Sequence, residues 1–410
     1  MDEKQFAALA GWLAEAGLSG LTETALVAGF CERLVAAGIG LARGTVIVDT
    51  LHPVYEGRAI NWRRSGEIRM TEYGSSETGP AAESWRRSPL NHLYSSPDSM
   101  MRRRITAESG AEFPVFADFA KEGMTDYVAL VSRIDAEGVI GNMDCIYSSF
   151  LSDAPGGFGD EQVALIERLA PLFALAMKSI SLARIAGTLV ETYLGRDAGH
   201  RVLSGRIARG VADRIEAVLW FSDLRSFTRI TDRAEPEQII PFLNDYAEAV
   251  ISAIHDAGGD VLKLMGDGTL AIFTAGDRGE ACRAAIAAAR QTRLAVAALN
   301  ERRAAADLPS TDLYLGLHVG EVFYGNVGSQ SRLDFTVVGP AVNEVSRIAA
   351  MCRSVDQPVL MSSAFVKALG IDDKRFVSVG RFALRGVGQP QHLYTIDPAL
   401  QASLAGAKRA

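Results

Sequence analysis

The sequence predicts an α+β fold divided into two domains that a long helix joins. Three observations support this prediction. The chain has 410 residues, which is too long for one ordinary domain, and 48% of them are hydrophobic, which is enough to form two cores. Clusters of β-branched residues between positions 44 and 147 predict strands, and they follow a segment with the apolar spacing of helices. From Val163 to Leu189, apolar residues recur at helical spacing, which predicts a helix of many turns that continues to about Tyr193.

Net charge and cysteine spacing limit the classes of partner and compartment. A formal net charge of −7 argues against a general affinity for nucleic acid or for an anionic membrane. No uninterrupted apolar run reaches about 18 residues, and the N-terminus lacks the apolar core of a signal peptide. The four cysteines are Cys31, Cys145, Cys282 and Cys352. Because they are widely scattered along the sequence, they indicate a reducing compartment. We therefore expect a cytoplasmic protein with no membrane span and no nucleic-acid partner.

The first 150 residues have the local patterns of helices followed by strands. Helical spacing within residues 5–40, interrupted at Gly17–Gly20, predicts two helices. The β-branched clusters Thr45–Val48, Tyr127–Val131 and Val139–Ile140 predict strands. The Ser-, Pro- and Arg-rich segments between these clusters are typical of loops. We therefore expect an α+β domain ahead of the long helix.

A mixed domain that ends in a long helix, with the stretch GFGDEQ before that helix, resembles the GAF-type ligand-binding modules. The resemblance covers residues 25–180 and implies a sensory or dimerisation domain over 1–180, with an unidentified small-molecule or ion effector. The alternative is a dimerisation domain that binds no ligand. Residues 181–214, Gly-rich and charged in their second half, are interpreted as a helical linker and coupling segment.

The second half opens with an apolar run, Ala217–Phe221, that ends close to Asp223. A buried strand that ends in aspartate places a metal ligand on a rigid element. Asp223 alone could equally be a helix N-cap. Two strand-like runs meet further on at Gly266-Asp267-Gly268, which is typical of a hairpin turn. Two strand-supported aspartates can bind two divalent ions about 3.5–4 Å apart, an arrangement suited to phosphoryl chemistry on a triphosphate.

A third segment predicts a helix with two polar side chains on one face. Pro340 suits the first turn of a helix, and Asn343 and Arg347 then lie four residues apart. An arginine can stabilise the charge on a reacting phosphate, and an amide can orient a ribose oxygen. The alternative is an ordinary solvated helix face.

These segments together resemble the class III nucleotidyl cyclase catalytic domain. The matching stretches are FSDLRSFT, LKLMGDG, the strand segment Leu315–Gly328, DFTVVGPAVNEVSR and LRGVGQP. They occur in the family order and cover residues 215–397. The resemblance implies a ferredoxin-like βαββαβ domain.

The resemblance also assigns roles to individual residues. Asp223 and Asp267 are expected to hold two Mg²⁺ or Mn²⁺ ions while the nucleotide's 3′-hydroxyl attacks its own α-phosphorus and pyrophosphate leaves. Lys263 and Thr336 fall at the base-selecting positions, and the ribose-orienting and transition-state positions fall to Asn343 and Arg347. The expected phosphate contacts are the amides of Leu224, Arg225, Ser226 and Phe227, with the side chains of Arg385 and Arg332.

Base selection departs from the commonest pattern at Thr336, where most adenylate cyclases of the family carry aspartate. A threonine hydroxyl can accept from the adenine amine or donate to the guanine carbonyl, so it does not decide the base. Lys263 favours ATP, because its ammonium has only donors and guanylate cyclases usually have an acidic residue there. We therefore expect a Thr-type adenylate cyclase. A guanylate cyclase and a catalytically inactive binding module are the alternatives.

In this family each active site takes its metal-binding aspartates from one subunit and the Asn, Arg and Lys from the other. This chain has both sets, with Asp223 and Asp267 in one and Asn343 and Arg347 in the other. The resemblance therefore implies a homodimer with two equivalent shared sites.

Overall fold

The computed structural model describes residues 3–74, 79–370 and 375–397. The chain divides into two compact units, Met1–Leu189 and Val190–Ala410, which we call unit 1 and unit 2. Each unit combines helices with one β-sheet, so the predicted α+β class is confirmed.

Unit 1 contains the two predicted N-terminal helices, six strands and the start of the long helix. Its elements are α1 (Glu3–Leu18), α2 (Glu23–Ala36), β1 (Leu41–Asp49), β2 (Gly57–Arg63), β3 (Ile68–Tyr73), α3 (Gly79–Arg86), α4 (Pro89–Tyr94), β4 (Met100–Arg104), α5 (Pro114–Lys121), β5 (Asp126–Arg133), β6 (Cys145–Ser152) and α6 (Asp160–Leu194). Helix α2 begins where it does because the Thr22 hydroxyl accepts a hydrogen bond from the Ala25 amide at 3.2 Å. The strands form an antiparallel sheet in the order β3-β2-β1-β6-β5-β4.

Helices cover both faces of this sheet. One core includes Phe30 of α2 and Phe173 of α6, and the other includes Phe116 of α5 with Tyr127 of β5. Because β6 is buried on both faces, it lacks the polar alternation of a half-exposed strand.

In unit 1, one predicted strand is absent from the described residues and one strand was not predicted. The pair Val139–Ile140 was expected to form a strand, but Ile140 makes only an isolated bridge to Met143. Gly141, with φ +61°, turns the backbone directly after Ile140. The strand that follows is β6, which the sequence analysis did not predict.

Helix α6 runs from Asp160 to Leu194, so it is a helix of many turns and ends close to the predicted Tyr193. Within the described parts of the chain, it is the one helix whose length and composition would allow it to cross a membrane, with a mean hydropathy of 1.5. Core helices of folded domains meet the same criteria, and Leu169, Phe173 and Met177 of α6 are buried in a core of unit 1.

Unit 2 contains the βαββαβ order implied by the resemblance, as β7-α9-β8-β9-α10-β10. Its elements are α7 (Arg196–Leu203), β7 (Ala212–Leu224), α8 (Phe227–Thr231), α9 (Pro236–Asp256), β8 (Asp260–Met265), β9 (Gly268–Phe273), α10 (Arg278–Ala305), β10 (Leu313–Gly328), β11 (Leu333–Val338), α11 (Pro340–Val355), β12 (Val359–Ser362), α12 (Ser363–Leu369), β13 (Phe376–Phe382) and β14 (Gln391–Ile396). The sheet order is β13-β14-β12-β10-β7-β9-β8, and β11 pairs with β10. Strand β7 starts at Ala212, three residues before the expected boundary at 215, because Ala212–Arg214 pair with Phe323–Gly325 of β10.

Candidate active site

Strand β7, an interior strand of the sheet, carries Asp223 near its end. Residues Ala217–Trp220 are buried, and β7 is hydrogen-bonded to β10 on one side and β9 on the other. Asp223 lies one residue before the end of this strand. The alternative that Asp223 caps a helix is wrong, because α8 begins four residues later and its N-cap is Ser226.

Asp267 lies at the tip of the predicted β8–β9 hairpin. Met265 pairs with Gly268, so the turn contains only Gly266 and Asp267. Gly266 has φ +66°, which a residue with a Cβ rarely adopts, and glycine at this first position suits a two-residue hairpin turn. Because Thr269 of β9 pairs with Ser222 of β7, the hairpin tip lies beside the end of β7.

The two aspartates are direct neighbours. Burial, together with the hydrogen bond and the like charge of Asp267, raises the pKa of Asp223 to about 6, whereas the Arg353 cation lowers it. Both carboxylates line a cavity of about 180 Å³ that Leu243 and Asn244 of α9 also line. A half-buried pair of like charges is stabilised by a divalent cation placed between them.

This donor set fits Mg²⁺ or Mn²⁺. Carboxylate oxygens are hard ligands, and Mg²⁺ is commonly bound by one or two carboxylates while substrate phosphates and water supply its other ligands. Within the described ranges, no group of three or more His, Cys, Asp or Glu residues could hold a metal ion.

The turn that follows Asp223 is fixed at both ends. The Arg225 amide donates to the Asp312 carbonyl oxygen at 2.8 Å, and the Thr311 hydroxyl donates to the Arg225 carbonyl oxygen. Ser226 has φ +59°, so the chain bends sharply before α8. The Arg225 amide, one of the four expected phosphate donors, is thus already engaged within the chain. The Arg225 guanidinium lies 3.7 Å from the carboxylate of Asp356.

Helix α11 begins at Pro340, as predicted, and presents Asn343 and Arg347 on its exposed side. Its opposite side buries Val345 against strand β10. The approach is close, because a Cβ at Gly316 of β10 would lie 2.7 Å from the Val345 carbonyl oxygen. The helix face that carries Asn343 and Arg347 is thereby set by packing on the sheet.

The base-selecting pair lies on two further strands. Lys263 is on β8 and Thr336 is on β11, and the Lys263 ammonium donates to the carboxylate of Asp334. Asp334 was not among the site residues predicted from the sequence. Its position two residues before Thr336, on the same face of an alternating strand, is the local signal that could have found it.

The remaining expected phosphate ligands lie on exposed loops. Arg332 closes a turn in which its amide donates to the Ser329 hydroxyl at 3.0 Å. Arg385 lies between buried Leu384 and Gly386, and Gly386 has φ +79°.

Contacts within the single chain join Asp223 to Asp267, and Lys263 to Asp334, which lies two residues before Thr336. Across the part of the chain that the structure describes, no hydrogen bond or ion pair joins the aspartates to Asn343 or Arg347.

Part of the chain resembles known proteins. Residues 212–397 match the family model for the adenylate and guanylate cyclase catalytic domain. An adenylate cyclase from Anabaena cylindrica is 34% identical over 164 residues, which cover 39% of this chain and 32% of that enzyme. The matched segments span between 8% and 38% of the length of the first curated relatives.

Two solved structures cover the same region. One is a guanylyl cyclase, 28% identical with a TM-score of 0.40, over 46% of this chain and 96% of that one. The other is an adenylyl cyclase from P. aeruginosa, 23% identical with a TM-score of 0.42, over 45% of this chain and 95% of that one. By its family match and its ordered motifs, the segment 212–397 is a class III adenylate and guanylate cyclase catalytic domain.

Proposed function

We propose that this chain is an adenylate cyclase that converts ATP to 3′,5′-cyclic AMP and pyrophosphate. The observation that carries the proposal is the half-buried contact between Asp223, near the end of β7, and Asp267, at the tip of the β8–β9 hairpin. A like-charge pair in a cavity is the arrangement that a metal-bound triphosphate requires.

Each site residue has a role in this proposal. Asp223 and Asp267 would hold two Mg²⁺ or Mn²⁺ ions, which would supply charge to activate the attacking hydroxyl and to stabilise the leaving oxygen. Asn343 orients the ribose so that its 3′-hydroxyl faces the α-phosphorus, and Arg347 stabilises the charge that develops there. The phosphates are contacted by the amides of Leu224, Ser226 and Phe227 and by the side chains of Arg332 and Arg385, since the Arg225 amide is bonded to Asp312.

ATP is the preferred substrate because Lys263 offers only donors to the base edge, and adenine N1 accepts. The second candidate is a guanylate cyclase. It is favoured by the Thr336 hydroxyl, which can donate to the guanine carbonyl. An inactive binding module is disfavoured, because Asp223, Asp267 and Arg347 are all retained.

The active form in this proposal is a homodimer with two shared sites. The exposure of Asn343 and Arg347 on α11, where the described residues give neither a hydrogen bond nor an ion pair to Asp223 or Asp267, supports it. The β10–β11 hairpin also exposes apolar side chains, with Phe323 at 54% exposure beside Val327 and Val338. In the dimer, Asp223 and Asp267 of one subunit meet Asn343 and Arg347 of the other.

The regulatory part of the proposal concerns the first half of the chain. Residues 1–180 act as a GAF-like sensory or dimerisation domain for an unidentified small molecule or ion, 181–214 couple it, and 215–397 catalyse. The sheet covered by helices on both faces and the long α6 support this assignment. A cytoplasmic location is supported by the four cysteines, all buried and free of disulfides.

One assay tests the proposed reaction. The purified full chain is incubated with ATP or GTP, each with Mg²⁺ or Mn²⁺, and products are identified by chromatography. Cyclic AMP from ATP at the higher rate supports the proposal. Faster formation of cyclic GMP identifies a guanylate cyclase, and no cyclic product under any condition identifies an inactive module.

A further inference from the structure

Strand β8 contains a β-bulge beside Lys263. Val261 pairs with Ala271 and Lys263 pairs with Leu270, so Leu262 is an extra residue on this strand. Bulges bend a strand and redirect the side chains that follow. Here Leu262 is buried and the Lys263 side chain is about half-exposed. The bulge thus turns Lys263 away from the core.

Strand β11 presents two polar side chains on one face. Phe335 and Val337 are buried, so Asp334 and Thr336 lie on the opposite face. Residues two apart on a strand are separated by about 6.6 Å along its axis. Asp334 is therefore the immediate same-face neighbour of the expected base-selecting threonine.

The ion pair between Lys263 and Asp334 links these two strands. The residues are 71 positions apart, and β8 and β11 are not hydrogen-bonded neighbours in the sheet. Their side chains are 45% and 43% exposed, and ion pairs at such exposure contribute little to stability. The main effect of this contact is to fix where the Lys263 ammonium lies.

A fixed ammonium distinguishes the two purines more sharply than a mobile one. Adenine N1 is an acceptor, whereas guanine N1 carries a hydrogen, so an ammonium beside it leaves two donors facing each other. A free lysine could turn away from that clash. A lysine bonded to a carboxylate cannot do so without breaking the ion pair.

We propose that Asp334 is a positioning residue for base selection, which holds Lys263 so that the site prefers ATP over GTP. This inference rests on the proposed function. It assigns Asp334 no contact with the reacting atoms.

The test compares Asp334→Asn with wild type by calorimetric binding of 3′-deoxy-ATP and 3′-deoxy-GTP, and by kcat and KM for ATP and GTP. In Asp334→Asn, we expect the preference for the adenine nucleotide to fall about 10-fold. The change should appear in KM and in the dissociation constant, whereas kcat should stay unchanged. Asp334→Glu should restore at least half of the preference, since it keeps the charge.

Two controls separate positioning from general damage. Glu216→Gln breaks an ion pair with Arg278 of similar exposure in the same unit and should leave the preference unchanged. In a Lys263→Met background, Asp334→Asn should change the preference no further, because the group that it positions is gone.

The outcomes distinguish this inference from the proposed function. An active wild type with an unchanged preference in Asp334→Asn overturns the role of Asp334 alone. A wild type without cyclase activity whose binding preference still depends on Asp334 overturns the proposed reaction alone. Binding of neither nucleotide overturns both.

Discussion

The buried carboxylates of unit 1 and the aspartate pair of unit 2 have opposite surroundings. Asp126, fully buried, accepts from Arg102 at 2.9 Å and from the Tyr127 and Phe158 amides at 3.1 and 3.0 Å. Asp223, in contrast, has another carboxylate as its neighbour. A carboxylate whose partners are all present stabilises a fold, whereas a like-charge pair is stabilised by a ligand that the chain itself does not supply.

Glu23 shows the same pattern as Asp126. It accepts from Arg58 at 2.9 Å, from the Ser181 hydroxyl at 2.8 Å and from Arg184 at 3.2 Å. Glu23 and Arg58 are both buried, and their partners on α6 belong to the same unit. This network fixes α2 and β2 to the long helix.

The largest expected effect is loss of cyclisation on removing either metal-binding carboxylate. Asp223→Ala and Asp267→Ala should each lower the rate at least about 100-fold, because each removes a ligand from a two-metal site. The rate of cyclic AMP formation is the measurement, and Glu237→Ala on the exposed side of α9 is the control. Retention of a tenth of wild-type activity by both variants would contradict the metal assignment.

The next largest effect is recovery of activity by mixing inactive variants. Asp223→Ala and Arg347→Ala should each be nearly inactive alone. With random subunit exchange, about half of the dimers are mixed and each has one intact site, so about a quarter of wild-type activity should return. If size-exclusion chromatography shows that subunits have exchanged while activity stays absent, the shared site is refuted.

In unit 1, Glu23→Gln should destabilise the fold by about 3 kcal/mol, because it leaves the Arg58 charge buried without a counter-charge. Hydrogen exchange of peptides from unit 1 measures this loss region by region. Glu122→Gln, which breaks an exposed ion pair with Arg63, should cost less than about 1 kcal/mol. Equal losses of stability in the two variants would contradict the difference expected between the buried Glu23 and the exposed Glu122.

The smallest effect concerns Asp223 in metal-free buffer. Its pKa is about 6 in the folded chain, above the ordinary value of 3.8, so the folded state binds more protons between these pH values. Asp223 therefore makes folding less favourable as pH rises from about 4 to 6. The thermal midpoint of Asp223→Asn relative to wild type should rise over that window, and Mg²⁺ should narrow the difference. A difference independent of pH would be evidence against the like-charge pair.

Local sequence signals predicted the elements that carry the site. The apolar run before Asp223, the Gly-Asp-Gly turn and Pro340 each reflect a backbone requirement that acts within a few residues. Strand β6 was missed because Ser148 and Ser149 are polar yet buried, and only their neighbours in the sheet and its covering helices explain that burial.

Tertiary proximity explains the other omissions. Asp334 became a candidate only when β11 was placed beside Lys263 of β8. The start of β7 at Ala212 was also not predicted. Asp213 and Arg214 are charged, and they gain their strand conformation from pairing with β10. Both the contact of Asp334 with Lys263 and the strand conformation at the start of β7 depend on residues that are distant in the sequence.

The β8–β9 hairpin carries Lys263 and Asp267 only four residues apart. In the proposed homodimer, these two residues serve different active sites, one at the base and the other at the metal ions. A small displacement of the hairpin when nucleotide fills one site therefore moves a metal ligand of the other. Occupancy of the two sites is then linked reciprocally, and substrate saturation should follow a curve with a Hill coefficient different from one.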